Sequence, residues 1–303
     1  MELRHLKYFV AVARTHSFSE AAKLLNITQS TLSSQIHQFE NEVGVMLFER
    51  STHSVKLTDY GEAIFESAER TLAEVNSCID RINDVSMLSY GNLSIGCTYT
   101  FASILDNAIL AFSKEHPHVK TSLVFKSVEE LTEMLERQEL DIVLSFKTLS
   151  LGANLISKVL FDTSLCAVVG TNHPLAKERK KSIRLPELEK YMIAMPAKGL
   201  QSRALLDKLL STSNVMLNNC IESNDINTLM TLVKRANYLT FMSQASSTNS
   251  DTSLYFIKIL HPDNNMQGVF TTRAKSYTKC STREFIRILC EQRLFSIPML
   301  DNL

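Results

Sequence analysis

The run TQSTLSSQIHQFENE, residues 28–42, concentrates uncharged hydrogen-bonding groups: Thr28, Gln29, Ser30, Ser33, Ser34 and His37. A primary amide can bond N6 and N7 of an adenine together, and a hydroxyl can donate or accept at a base edge. Hydroxyls and free N–H groups at helix starts can also hold phosphate oxygens. Ser17 and Ser19 stand ahead of the run, and Arg50, His53 and Lys56 follow it. The run itself holds no Lys or Arg, so its chemistry is hydrogen bonding at edges rather than capture of a polyanion by charge.

For those groups to face outward together, the run must be helical. Leu32, Ile36, Phe39 and Val43 recur at spacings of four, three and four, which makes one apolar stripe. Ser30, Ser34, His37, Gln38 and Asn41 fall on the opposite face, and Thr28 is a good N-cap. Leu3, Leu6, Phe9, Val10 and Ala13 place an amphipathic face on a first helix. Ser17 or Ser19 can cap a short second helix that packs through Ala21, Ala22 and Leu25. After Gly44, VMLFERSTHSVKLT has β-branched ends and a polar centre, the pattern of a short hairpin. Residues 1–58 therefore read as helix, helix, helix and wing, a winged helix-turn-helix unit.

A long helix follows from Asp59 toward Leu88, about 45 Å at 1.5 Å per residue, within a linker segment assigned to 59–90. Phe65, Ala68, Leu72, Val75, Ile79 and Ile82 form an a/d seam along it, and a second copy of the chain is the economical partner for that seam. Beyond Gly91 strands and helices alternate. NLSIGCTY, VKTSLVFK, DIVLSFK, SLCAVVG, YMIAMP, VMLNNCIES, NYLTFMS and MQGVFTTRA read as strands, with a closing helix from about Thr282 to Leu294. Such alternation predicts a parallel α/β sheet.

Composition removes several classes. The 303 residues carry thirty-two acids against thirty-two bases, which is no basic coat for nucleic acid, and call for two or three domains. Apolar runs such as LCAVVG are too short to span a bilayer, and the amino-terminal segment lacks a signal-peptide pattern, so a cytoplasmic location is expected. GxSxG, HExxH, the phosphate loop and GxGxxG are all missing, and eight glycines leave little material for such loops. No enzyme, cofactor or metal is expected. Six cysteines lie far apart, with no CxxC pair and none near a His at metal-ligand spacing. They read as buried, reduced thiols, with redox sensing at Cys166 and Cys220 left open.

The segments LRHLKYFVAVA, SFSEAAKLL, TQSTLSSQI and EVGVMLFER…VKLTDYGE strongly resemble the amino-terminal domain of LysR-type transcriptional regulators. The resemblance extends over essentially the whole chain, specific in motif over residues 3–62 and one of pattern and length beyond. It implies α/β architecture with an N-terminal all-α winged helix-turn-helix, a long linker helix and a two-lobed effector domain similar to periplasmic binding proteins. The lobes are placed at 91–163 with 267–303, and at 164–266. It further implies a homodimer or homotetramer on an inverted-repeat site in double-stranded DNA, and a small-molecule effector between the lobes.

The chain departs from the family where charge is concerned. Family recognition helices commonly carry a basic residue at the position of Ser34 and often another at that of His37, and family wings often hold several Arg. Here residues 1–60 hold six bases (Arg4, Lys7, Arg14, Lys23, Arg50, Lys56) and six acids (Glu2, Glu20, Glu40, Glu42, Glu49, Asp59). DNA contact is therefore expected from Gln29 first, then Ser33, Ser34 and His37, with Ser17, Ser19, Thr28, Ser30, Arg50, His53 and Lys56 in support. The alternative is a LysR-like chain with degenerate DNA binding that acts mainly as a small-molecule-binding or scaffold protein.

In a two-lobed α/β protein the ligand belongs beyond the carboxyl ends of strands, where helix N-termini point into the cleft. Four junctions qualify: Thr98 to Thr100, Ser145 to Lys147 through Phe146, Gln201 to Arg203 through Ser202, and Asn224. Thr98 and Thr100 fall where family members hydrogen-bond an effector. Lys147 or Arg203 could pair with a carboxylate, and Phe146 and Met242 could supply apolar walls. Hydroxyls and helix N-termini favour a small anion.

Overall fold

The computed structural model describes residues 1–50, 55–85, 91–148, 151–217, 220–246, 252–274 and 276–291. The chain divides into two compact units, 1–85 and 86–303.

The first unit contains α1 (Leu3–Thr15), α2 (Phe18–Leu25), α3 (Gln29–Val43), the hairpin β1 (Phe48–Arg50) and β2 (Val55–Leu57), and α4 (Asp59–Val85). Apolar stripes on the helices meet in one core. Phe9, Ala21, Leu32 and Ile36 are fully buried there, and the Phe9 ring lies 6.3 Å from Phe39 and 5.4 Å from Phe48. Each short helix is capped as its sequence requires: Ser17 accepts the Glu20 N–H at 3.3 Å, and Thr28 accepts the Thr31 N–H at 3.2 Å.

One expected member of the α3 stripe departs: Val43 is 40 % exposed. Glu40 is buried instead, because its Oε1 accepts the N–H groups of Leu47 at 2.9 Å and Phe48 at 3.2 Å. That carboxylate ties the end of α3 to the start of the wing. Gly61 is required at the joint with α4, since a Cβ there would sit 2.3 Å from the Leu47 carbonyl oxygen.

The second unit begins with β3 (Gly91–Cys97), α5 (Ala102–Glu115), β4 (Val119–Phe125), α6 (Val128–Glu136), β5 (Ile142–Phe146) and β6 (Leu155–Thr163). It continues with β7 (Leu165–Gly170), α7 (Pro174–Lys177), β8 (Ser182–Ile183), β9 (Ile193–Pro196), α8 (Gln201–Ser213), β10 (Cys220–Ser223), α9 (Ile226–Arg235) and β11 (Thr240–Ser243). It ends with β12 (Leu254–Ile259), β13 (Met266–Arg273) and α10 (Cys280–Glu291). One sheet runs β4-β3-β5-β13-β6; a second runs β11-β7-β12-β8, and β9 pairs with β10 beside it.

The expectation of a parallel sheet needs correction. β3 is parallel to β4 and β5, but β13 is antiparallel to both β5 and β6, and β7 is antiparallel to β11 and β12. Parallel neighbours need a helical crossover. β6 instead leaves its lobe directly and β13 returns directly, so neither has one. β6 and β12 are not among the expected strands; of the strand expected over 215–223, Cys220–Ser223 forms, residues 215–217 do not, and 218–219 lie outside the described residues. The tail of the expected linker helix beyond Val85, and that of the last helix beyond Glu291, lie outside the described residues.

The two chain crossings between the lobes are fastened to each other. Asn264 accepts the Leu165 N–H at 2.8 Å and donates to the carbonyls of Leu165 and Ile259, each at 2.9 Å. Thr163 and Ser243 hydroxyls meet at 3.1 Å in the same buried region. No helix among the described residues is long and apolar enough to cross a membrane.

Candidate functional site

The polar face of α3 is built from its first turn. Gln29 is the first helical residue and is exposed. The Ser19 hydroxyl on α2 donates to its amide oxygen at 3.1 Å, which holds the amide in one orientation and turns its NH₂ toward solvent. Ser30 is exposed and shares a hydrogen bond with the Thr28 hydroxyl at 3.0 Å. Ser34 and His37 are exposed farther along the same helix, and Ser33 is half-buried. Lys56 is exposed on β2; His53 and the Arg50 side chain lie outside the described residues. This surface can hydrogen-bond base edges with groups that carry no charge.

The α4 seam divides. Phe65 packs against Phe9 at 6.3 Å between centroids, Ala68 is 3 % exposed, and Leu72 packs on the same domain's core. Val75 is half-buried, while Ile79 and Ile82 are exposed.

In the second unit a cleft of about 740 Å³ opens between the lobes. One wall is Tyr99, Ala102, Phe125, Lys126, Ser127 and Glu130; the other is the 198–200 loop together with 224–227. Tyr99 and Phe125 stack, with centroids 6.1 Å apart and planes at 27°. Most charges around them are already matched. Lys126 donates to Glu130 at 2.6 Å, and that bond, with help from the Ser127 N–H and hydroxyl, holds the Glu130 carboxyl below its usual range. Asp225 caps α9: its Oδ2 accepts from the Thr228 hydroxyl at 2.7 Å and from the Thr228 N–H at 3.0 Å. Those bonds, the hydroxyl foremost, hold the Asp225 carboxyl down. The Glu222 carboxyl is held below its usual range first by Arg203 and also by the N–H and the charge of Lys198, and Gly199 beside that lysine turns the loop at φ +94°, where a side chain would be strained.

Of the sequence-derived ligand positions, only Asn224 lines this cleft. Thr98, just before it, is 6 % exposed, and its hydroxyl has no partner among the described residues. The Thr100 side chain lies outside the described residues. Ser145 and Ser202 are buried, Met242 is half-buried, and Phe146 packs in the core against Phe101 at 5.3 Å and Phe161. Lys147 reaches Gln267 at 3.3 Å. Arg203 is committed to Asp207 at 2.7 Å, Glu222 at 2.9 Å and the Pro196 carbonyl at 3.0 Å. Tyr99, Phe125, Lys126 and Lys198 line the cleft without being expected there. An aromatic just inside a strand–helix junction and a Lys-Gly pair ahead of a helix were the available signals.

Comparison with known proteins bears on both surfaces. The model of the bacterial regulatory helix-turn-helix protein, lysR family, matches residues 3–62, and that of the LysR substrate binding domain matches 88–293. The chain belongs to the LysR family. This LysR-type chain is a DNA-binding transcriptional regulator with an effector-binding domain. It is similar to the HTH-type transcriptional regulator BudR of Klebsiella aerogenes, 42 % identical over 143 residues that cover 46 % of this chain and 100 % of BudR. Among solved structures, full-length OxyR from Pseudomonas aeruginosa has a TM-score of 0.68 at 23 % identity, covering 96 % of this chain and 93 % of OxyR. Full-length CbnR, complexed with its target DNA, has a TM-score of 0.64 at 21 % identity, covering 95 % of this chain and 99 % of CbnR. At those identities the likeness shows the fold. The degenerate DNA-binding alternative gains no support from any of them.

Cys97 and Cys166 are buried as expected, but Cys78 and Cys290 are exposed and Cys280 is half-buried. Burial raises the Cys97 thiol far above its usual range and pushes Cys166 up to about 12, so neither is a thiolate at neutral pH. The Cys220 side chain lies outside the described residues.

Proposed function

We propose that this LysR-type regulator reads an inverted-repeat site through the uncharged face of α3 and responds to a small anion bound between its lobes. Gln29 is the principal base-reading group, with Ser33, Ser34 and His37 beside it and Ser17, Ser19, Thr28, Ser30, Arg50, His53 and Lys56 in support. The chain acts in the cytoplasm without catalysing a reaction. It acts as a dimer, or a dimer of dimers, through Val75, Ile79 and Ile82, the part of the α4 seam that its own domain leaves accessible.

One observation carries the regulatory reading: the cleft draws its walls from both lobes. A ligand touching both lobes has different contacts in each lobe arrangement, and that difference is what shifts a population. Lys198 is the cation that takes the anion, with Asn224 as a neutral partner. Hydrogen exchange of the full chain against a set of small carboxylates tests this. The expected result is slowed exchange at 198–200 and 224–227 with one of them, and a loss of that effect in Lys198→Met. Protection confined to residues away from the cleft would overturn it.

A further inference from the structure

Gln201 reaches from one lobe to the other. It is the first residue of α8 in the second lobe, and its side chain crosses to Phe146, the last residue of β5 in the first lobe. The amide oxygen accepts the Phe146 N–H at 3.0 Å, and the amide NH₂ donates to the Phe146 carbonyl. A primary amide paired with both backbone groups of one residue copies a strand pairing. The carboxyl end of a strand is where α/β proteins receive ligands. Here a side chain of the opposite lobe already sits there.

We propose that Gln201 is an interlobe clasp: a positioning residue that sets the spacing of the cleft and confines the effector to its Tyr99 and Asn224 side. Three features give the clasp its leverage. The Phe146 side chain is 2 % exposed and wedged among Phe101 and Phe161, so the backbone that Gln201 grips cannot drift. The next N–H, that of Lys147, is bonded to the Gln267 carbonyl at 2.8 Å on the returning strand β13, which braces the same point from the other side. Lys198, Gly199 and Leu200 immediately precede Gln201, so the grip on Phe146 also fixes the loop that forms the second wall. The clasp rests on the reading of this cleft as the effector site, but it can be tested without any effector.

The experiment is residue-resolved hydrogen exchange on the full chain, compared with Gln201→Ala and Gln201→Glu. Gln201→Ala removes both bonds, and the Phe146 amide should exchange about tenfold faster, with Leu144 in mid-strand unchanged. Gln201→Glu keeps an acceptor for the N–H, yet while ionised it sets a carboxylate against the Phe146 carbonyl. Protonation restores the donor. Phe146 protection relative to wild type should therefore recover as pH falls through the titration of that carboxyl. This second variant keeps the test decisive if the Ala variant does not fold. Unchanged Phe146 exchange in Gln201→Ala, or a pH-independent ratio in Gln201→Glu, overturns the clasp. Fast exchange in Gln201→Ala supports it even where no carboxylate protects the cleft, an outcome that would count against the effector reading alone.

Discussion

The face of α3 and the interlobe cleft solve recognition in opposite ways. On α3 the groups offered to a partner are neutral, and those held in place are held by neutral neighbours, Gln29 by the Ser19 hydroxyl and Ser30 by that of Thr28. In the cleft the groups are charged, and most of them are spent on neighbours: Lys126 on Glu130, and Asp225 on the N–H and hydroxyl of Thr228. A regulator must find its site among many similar ones, and hydrogen-bond geometry discriminates where charge does not. An effector cleft must reject most of the small charged molecules it meets, and a lining that is already paired presents few unmatched charges to them.

Breaking the dimer should have the largest consequence for the first of these surfaces. With Ile79 and Ile82 both replaced by Asp, sedimentation should show monomers, and affinity for an inverted repeat should fall on the order of a hundredfold because the half-sites no longer share one tethered protein. An unchanged oligomer would place dimerisation elsewhere. Gln29→Ala comes next: specific binding should weaken about tenfold to a hundredfold in an anisotropy titration, with binding to a scrambled site nearly unaffected. Equal losses on both sites would make Gln29 a positioning contact instead of a base reader.

The smallest effect belongs to the cleft. Asp225 has its carboxyl held below the ordinary value in the folded chain, so its capping contributes fully above about pH 4 and is lost as pH falls below that. Asp225→Ala should lower the melting temperature modestly at neutral pH, and the difference from wild type should close as the solution is acidified. A difference constant from pH 7 to pH 3 would show that the side chain's contribution is not that of an ionised cap.

How much of this was readable in advance follows from the range of the interactions. The winged helix-turn-helix unit is local: a 3.6-residue period at Leu32, Ile36 and Phe39, a cap at Thr28 and a turn before the wing fix which side chains point outward. Glu40 escaped, since no periodicity reports that a carboxylate will turn inward to meet two N–H groups seven and eight residues on. The a/d seam of α4 was visible, but its division between the domain core at Ala68 and exposure at Ile82 was not, because a heptad does not say which partner claims each turn. In the second unit the strands at 155–163 and 254–259 were passed over, and with them the mixed sheet. In the second unit, pairings across the sequence, Gln201 with Phe146 and Arg203 with Glu222, occupy polar side chains that their spacing leaves open. Of the positions expected in the cleft, Asn224 alone lines it, whereas Lys198, followed by glycine, lines it with no periodicity or capping pattern to mark it.

On this reading the regulator grips DNA mainly through uncharged groups. That grip is tested most directly by the salt dependence of binding to a specific inverted repeat. Each phosphate neutralised by a cation contributes about −0.9 to the slope of log K against log salt. Two wing cations per copy, Arg50 and Lys56, give a slope of about −4 for the dimer. A slope of about −8 or steeper would contradict the account and assign the grip to basic residues outside α3 and the wing.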